Sequence, residues 1–316
     1  MKSSKYVFLV PIMNLTIEDD IAIGDSSIVR LSEQLVASLE TTHSIKFNLN
    51  LKDHPEKPIE YLTNINETKT YTVVNVEAPD SKKALELAIQ KVETCLNILR
   101  LFTNQLEPPF VLRDEFKKTI GQRIIQLNVN RKLYSELGSN VNLITNHFPT
   151  IFGKDCIEKF KANNLPIINS LLKKADDELT PLQEDLLTAI MWFGNAAKEI
   201  DRKMKFVKYM MALEALLVPD GVQRKSDTIA KRFASIVFAT NPSVDKKEAF
   251  KDMRELYRLR NSIIHSGEGY VYEDDLEKLY IWAKITVQML LERSGKFRDL
   301  QEALSEEFPI DETLYN

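Results

Sequence analysis

Apolar positions follow two spacing rules along this chain, and the rule changes about a third of the way through. Near the start, apolar residues run together or alternate over Tyr6 to Met13, Ser44 to Leu51 and Thr70 to Val76, a pattern that predicts strands. From Ser81 to Phe102 the spacing becomes three and four, placing Leu85, Ala88, Val92, Cys95, Leu99 and Phe102 on one helical stripe. Pro108-Pro109 punctuates this region, and residues 110–150 carry weaker extended signals around Arg123 to Val129 and Val141 to Thr145. Beyond about Asp155 the period is helical, with helices expected near 155–163, 166–178, 181–200, 202–218, 226–240, 245–265 and 273–293. Breakers stand where those helices should end, at Pro219-Asp220-Gly221, Asn241-Pro242 and Ser266-Gly267. Thr180-Pro181 reads as an N-cap followed by proline in the first turn. Glu273-Asp274-Asp275 likewise puts acids at a helix start. The expected fold is mainly α: an α+β N-terminal domain over residues 1–150, then an all-α bundle over 151–316.

One helix breaks its own pattern. At about 100° per residue, Ala249, Phe250, Met253, Leu256, Tyr257, Leu259, Ile263 and Ile264 share an apolar arc, and Arg260 falls in its middle. A guanidinium keeps its charge and is costly to desolvate, so it needs an acid, a partner chain or an anionic ligand. Glu214, set within the apolar run Met210 to Leu217, is a candidate acid. A second line on the helix, Lys247, Lys251, Arg254, Arg258, Asn261 and His265, advances by three and four, and this basic face ends in a histidine. His265 is expected in the last turn, where the carbonyl end of the helix favours an imidazolium.

The net charge of −4 and pI near 5.8 exclude a globally basic nucleic-acid coat, so RNA contact requires a local patch such as this one. The nine glycines form no GxGxxG, GxxxxGK[ST] or GxSxG loop, and His43, His54, His147 and His265 lack HExxH spacing. No cofactor or metal is expected. Cys95 and Cys156 are far apart, which suits a reduced cytoplasmic setting, with Cys95 as a core residue. The apolar stretch at Tyr6 to Met13 is too short to span a bilayer and reads as a buried strand, so no membrane association is expected.

The run Arg260-Asn261-Ser262-Ile263-Ile264-His265, preceded by Glu255 to Leu259, resembles the signature of HEPN domains (higher eukaryotes and prokaryotes nucleotide-binding). The resemblance is to the ApeA-like subgroup of prokaryotic defence and toxin systems. Phe206 to Leu217 and Thr228 to Phe238 resemble earlier helices of that subgroup, and the likeness spans roughly residues 180–293. It implies a helical bundle that dimerises so that two Arg-x4-6-His motifs face each other and cleave RNA without a metal. The matching positions are Arg260, Asn261 and His265. The implied setting is a prokaryotic toxin or antiviral defence system; from the two-domain architecture, the N-terminal domain is expected to sense a phage trigger, bind a regulatory protein or restrain the nuclease.

The chemistry of those residue types suits the task. Attack by a 2′-hydroxyl needs a proton acceptor, a donor for the leaving oxygen and fixed positive charge at the phosphorane; histidine supplies the first two and arginine the third. Asn261 is placed to orient the imidazole or bond the phosphate. Arg260 and His265 diverge by about 140° on an ideal helix, which a homodimer through the bundle would reconcile. Lys247, Lys251, Arg254 and Arg258 either guide the RNA backbone or form a solvated face. Trp192, Phe193, Tyr280 and Trp282 read as packing rather than base-stacking residues. Two alternatives stand beside the nuclease: a HEPN-like module that only binds RNA or nucleotide, and a helical interaction module in which Arg260 is structural.

Overall fold

The computed structural model describes residues 3–13, 15–43, 69–103, 121–128, 133–140, 150–219, 221–310 and 312. The strand expected at Ser44 to Leu51, the extended segment at Val141 to Thr145, His54, His147 and Pro108-Pro109 lie outside them.

The chain divides into two compact units, Met1–Leu96 with Thr103–Ile168, and Asn97–Phe102 with Asn169–Asn316. The first is α+β. Its six-stranded antiparallel sheet has the order β3-β4-β5-β1-β6-β7, with β1 Ser4–Pro11, β3 Ile21–Ile23, β4 Ser26–Arg30, β5 Thr70–Ala78, β6 Gly121–Asn128 and β7 Leu133–Asn140. β1 sits between β5 and β6, pairing Phe8 with Val74 and Leu9 with Ile125. Residues 6–11 of this central strand are all buried, which is why its sequence is continuously apolar rather than alternating. Helix α1 spans Glu33–His43 and α2 spans Ser81–Phe102. The predicted stripe on α2 is inward, with Ala88, Val92, Cys95 and Leu99 buried. Burial pushes the Cys95 thiol up to about 12, as suits a core residue. A parallel pair, β2 Leu15–Ile17 with β8 Thr150–Phe152, leads into α3 Lys154–Asn163, whose first N–H at Lys154 donates to the Glu18 carboxylate at 2.7 Å. That contact and the ion pair of Lys161 with Asp19 hold α3 in the first unit. The second unit therefore begins near residue 169 rather than at the expected 151.

Helix α4, Leu165–Leu172, is shorter than the expected 166–178. Its continuation fails because the Ala175 N–H turns to the Glu178 carboxylate at 3.0 Å and starts a separate 3-10 turn at Asp176–Glu178. The bundle follows: α5 Pro181–Ala197, α6 Arg202–Leu217, α7 Lys225–Thr240, α8 Lys246–Ser266, α9 Glu273–Arg293 and a short α10 Leu300–Glu306 that the apolar period did not predict. The capping expectations hold. Thr180 Oγ1 accepts from the Gln183 N–H, and Gly267 ends α8 at φ 70°, a conformation that glycine adopts without strain. Asp245 accepts from the N–H groups of Lys247 and Glu248 at 2.8 and 3.2 Å, which fixes the start of α8.

Packing explains the aromatic residues in part. Phe193 stacks with Tyr280 and tilts against Tyr209, while Trp282 packs on Phe233 with ring centres 4.5 Å apart. Trp192 is the exception, half-buried and facing a cavity. Among the described residues, no helix is long and apolar enough to cross a membrane.

Candidate functional site

Arg260 lies on the inner side of α8, and its side chain is only 18% exposed. The acid it meets is Glu214 on α6: Arg260 Nη2 donates to Glu214 Oε2 at 2.5 Å. Glu214 is held from its other oxygen by the Tyr257 hydroxyl, which donates to Oε1 at 2.6 Å. Burial, followed by this bond to the carboxylate, raises the Tyr257 phenol above its ordinary 10, so the hydroxyl remains a donor. Arg260 Nη1 donates to Asn261 Oδ1 at 3.0 Å, and the guanidinium stands 5.6 Å over the Tyr257 ring. Its buried Nε has no hydrogen-bond acceptor. Two of the five guanidinium N–H groups are thus engaged and one is enclosed, which leaves one N–H on each terminal nitrogen for a further acceptor.

These residues line a cleft of 660 Å3 together with His265. One wall is α8 and the end of α6, carrying Glu214, Tyr257, Arg260, Asn261 and His265. The other is the start of α7, carrying Gln223, Arg224, Lys225, Ser226 and Asp227. Arg260 and His265 therefore share one concavity within a single chain, despite their angular divergence on the helix. His265 is exposed in the last turn of α8, as expected from the helix stop signal.

The cleft is mixed in charge but tilted positive: Arg224, Lys225 and Arg260 stand against Glu214 and Asp227, with His265 also in the lining. Asp227 is partly neutralised by Arg254, whose Nε lies 2.8 Å from Asp227 Oδ1 in a geometry that pairs the charges without completing a hydrogen bond. That ion pair ties α8 to the first turn of α7. Arg224 occupies the N-cap position of α7 and offers no capping acceptor, so the first N–H groups of that helix lack a side-chain cap.

The basic line divides accordingly. Lys247, Lys251 and Arg258 are exposed, Arg254 is committed to Asp227, and none of the four lines the cleft. Ile264, expected on the apolar arc, is instead 47% exposed, because α8 turns that edge away from the bundle in its last turn. The α7 wall escaped the sequence reading. Its signal was the basic pair Arg224-Lys225 just after the Pro219-Asp220-Gly221 breaker, where the chain must turn back at Gly221, φ 77°, and present its next residues to α8.

Among the described residues, no group of three His, Cys, Asp or Glu side chains is placed to hold a metal ion. Comparison of the chain with protein families, with curated proteins and with solved structures found no match.

Proposed function

We propose that the helical unit is a HEPN-like, metal-independent endoribonuclease acting as a homodimer in the cytoplasm, within a prokaryotic toxin or antiviral defence system. The observation that carries this reading is the meeting of Arg260, Asn261 and His265 in one cleft that also receives Arg224 and Lys225. Arg260 is oriented from behind by Glu214 and keeps N–H groups for a phosphate oxygen. In the proposed step a ribose 2′-oxygen attacks the adjacent phosphorus as a histidine accepts the hydroxyl proton. The bond from phosphorus to the 5′-oxygen breaks, and that oxygen takes a proton from a second histidine, leaving a 2′,3′-cyclic phosphate and a 5′-hydroxyl. Two motifs from two chains supply the two histidines.

The surface beside His265 supports the dimer. Ile264, Tyr270 and Tyr272 are exposed at 47, 66 and 64%, and the two tyrosine rings stand 4.9 Å apart. Exposed apolar and aromatic side chains at and just after a charged motif suit a second copy of the chain. The α+β unit would then restrain the nuclease or answer a regulatory protein or phage trigger.

A second reading draws on the Glu214–Arg260 pair itself. A guanidinium already matched to a carboxylate serves a module that binds RNA or nucleotide without turnover. End-group analysis separates the two. Incubating structured RNA with the protein in EDTA should yield 5′-hydroxyl ends, and fully 2′-O-methylated RNA of the same sequence should survive. RNA that is retained on the protein but uncut in both forms would favour the binding module.

A further inference from the structure

A second cavity opens on the other side of the Glu214–Arg260 pair. It is a half-open groove of 590 Å3, within the range of about 300–1,000 Å3 typical of small-ligand sites. Glu214, Lys225 and Arg260 line both this chamber and the motif cleft. Asp185, Thr188 and Trp192 enter it from α5, and their spacing of three and four puts them on one face of that helix. Arg232 of α7 and Gln301 of α10 complete the part that matters here. Arg232 is fixed, with Nη1 donating to the Leu217 carbonyl at 3.1 Å and Nη2 to Gln301 Oε1 at 3.3 Å. The Gln301 amide nitrogen remains a donor.

Two properties distinguish this chamber from the motif cleft. It has an indole in its lining, since the half-buried Trp192 borders the cavity while its neighbour Phe193 is taken up by Tyr209 and Tyr280. Its acids Asp185, Glu214 and Asp299 offset its bases Lys225, Arg232 and Arg260. A charge-balanced pocket with an aromatic wall and both donors and acceptors suits a neutral heteroaromatic ring better than a polyphosphate.

We propose that this chamber is the base-recognition subsite of the same site. It takes one unpaired nucleobase of an RNA chain, stacked on Trp192 and hydrogen-bonded at its edge by Asp185 and Gln301, with the adjoining phosphate at Arg260. The inference rests on the RNA reading for the identity of the polymer, but binding of the base requires no cleavage. Asp185 and Gln301 then act as specificity determinants, accepting from and donating to the base edge.

The chain has two tryptophans, so Trp282→Phe leaves Trp192 as the only indole reporter. This protein would be titrated with the four nucleoside monophosphates, ribose 5-phosphate and inorganic phosphate while its fluorescence is followed. Saturable quenching by at least one nucleotide is expected, with ribose 5-phosphate at least tenfold weaker, and Asp185→Asn should change the rank order of the four. Base stacking accounts for about 10- to 100-fold in affinity, so RNA binding by Trp192→Ala should fall by that factor while Trp192→Phe keeps most of it. No quenching by any nucleotide, or equal quenching by ribose 5-phosphate, overturns the subsite. Repeating the titration in the His265→Ala background separates the two proposals. Quenching without RNA cleavage by the parent protein sinks the nuclease and leaves the subsite, whereas cleavage without quenching does the reverse.

Discussion

Glu214 on α6 and Arg260 on α8 are joined at 2.5 Å, and the pair stands between the two cavities of the helical unit. Both side chains are less than a fifth exposed, so neither charge is well placed to be left alone. Glu214→Ala should cost about 3 kcal/mol in unfolding free energy, because it strands a largely buried guanidinium and frees the Tyr257 hydroxyl. The double variant Glu214→Leu, Arg260→Met should recover much of that loss in denaturant melts while weakening RNA binding. A double variant less stable than Glu214→Ala would show that the charges contribute more than their removal relieves.

Gly194 on α5 has no room for a side chain. An added Cβ would lie 2.3 Å from Asn97 Oδ1, and Asn97 is itself buried while accepting from Arg100 Nη1 at 2.6 Å. Gly194→Ala should lower stability by about 1–3 kcal/mol through overpacking. Asn97→Gly should restore part of it in the double variant, measured as the shift of the urea midpoint at constant slope.

Much of the helical unit was legible because its signals are local. Thr180-Pro181 and Ser266-Gly267 mark helix ends by hydrogen bonds that their own side chains or backbone make, and the structure places those ends within a few residues of expectation. The misplaced charge at Arg260 was equally legible, since only a partner or ligand explains it. Glu214 was identifiable as an acid in an apolar run, but the Tyr257 hydroxyl on its second oxygen was not, because Tyr257 reads as one more packing residue of the apolar arc until the fold brings it to Glu214. The α7 wall was missed for the same reason: Arg224 and Lys225 gain meaning only when the turn at Gly221 folds them against α8. In the first unit, β2, β3 and β4 are three to five residues long, too short for alternation to announce them.

Acid should weaken the protein through Glu307, whose carboxyl is held below its ordinary 4.5 by hydrogen bonds from Lys296 first and then Arg293. A depressed folded pKa gives stability that is present above about 4.5 and lost as pH falls through the folded value. Melting temperature should therefore be insensitive to this group at neutral pH and decline below about pH 4.5. Glu307→Gln should be less stable than the parent at pH 7 and converge with it in acid. A constant difference between the two from pH 7 to pH 3 would remove Glu307 from the account.

The exposed Ile264, Tyr270 and Tyr272, at and just after the end of α8, predict a dimer that can be separated from folding. Tyr272→Asp together with Ile264→Asp should convert the protein to monomer in sedimentation analysis, with a melting temperature within a few degrees of the parent. RNA cleavage should then fall by at least 100-fold. A monomeric variant that cleaves normally would mean that a single cleft is sufficient, and a parent protein that is monomeric at micromolar concentration would remove the second copy altogether.

The most direct test is to compare the parent protein with Arg260→Ala and His265→Ala on a structured RNA pool in EDTA, after circular dichroism has shown all three folded. Cleavage to 5′-hydroxyl ends by the parent is expected, with losses of at least 100-fold in both variants. RNA binding should be kept by His265→Ala and weakened in Arg260→Ala. Equal cleavage by all three proteins would contradict the assignment of chemistry to this cleft, and intact RNA in every sample, with RNA bound by the parent, would leave a binding module in place of an enzyme.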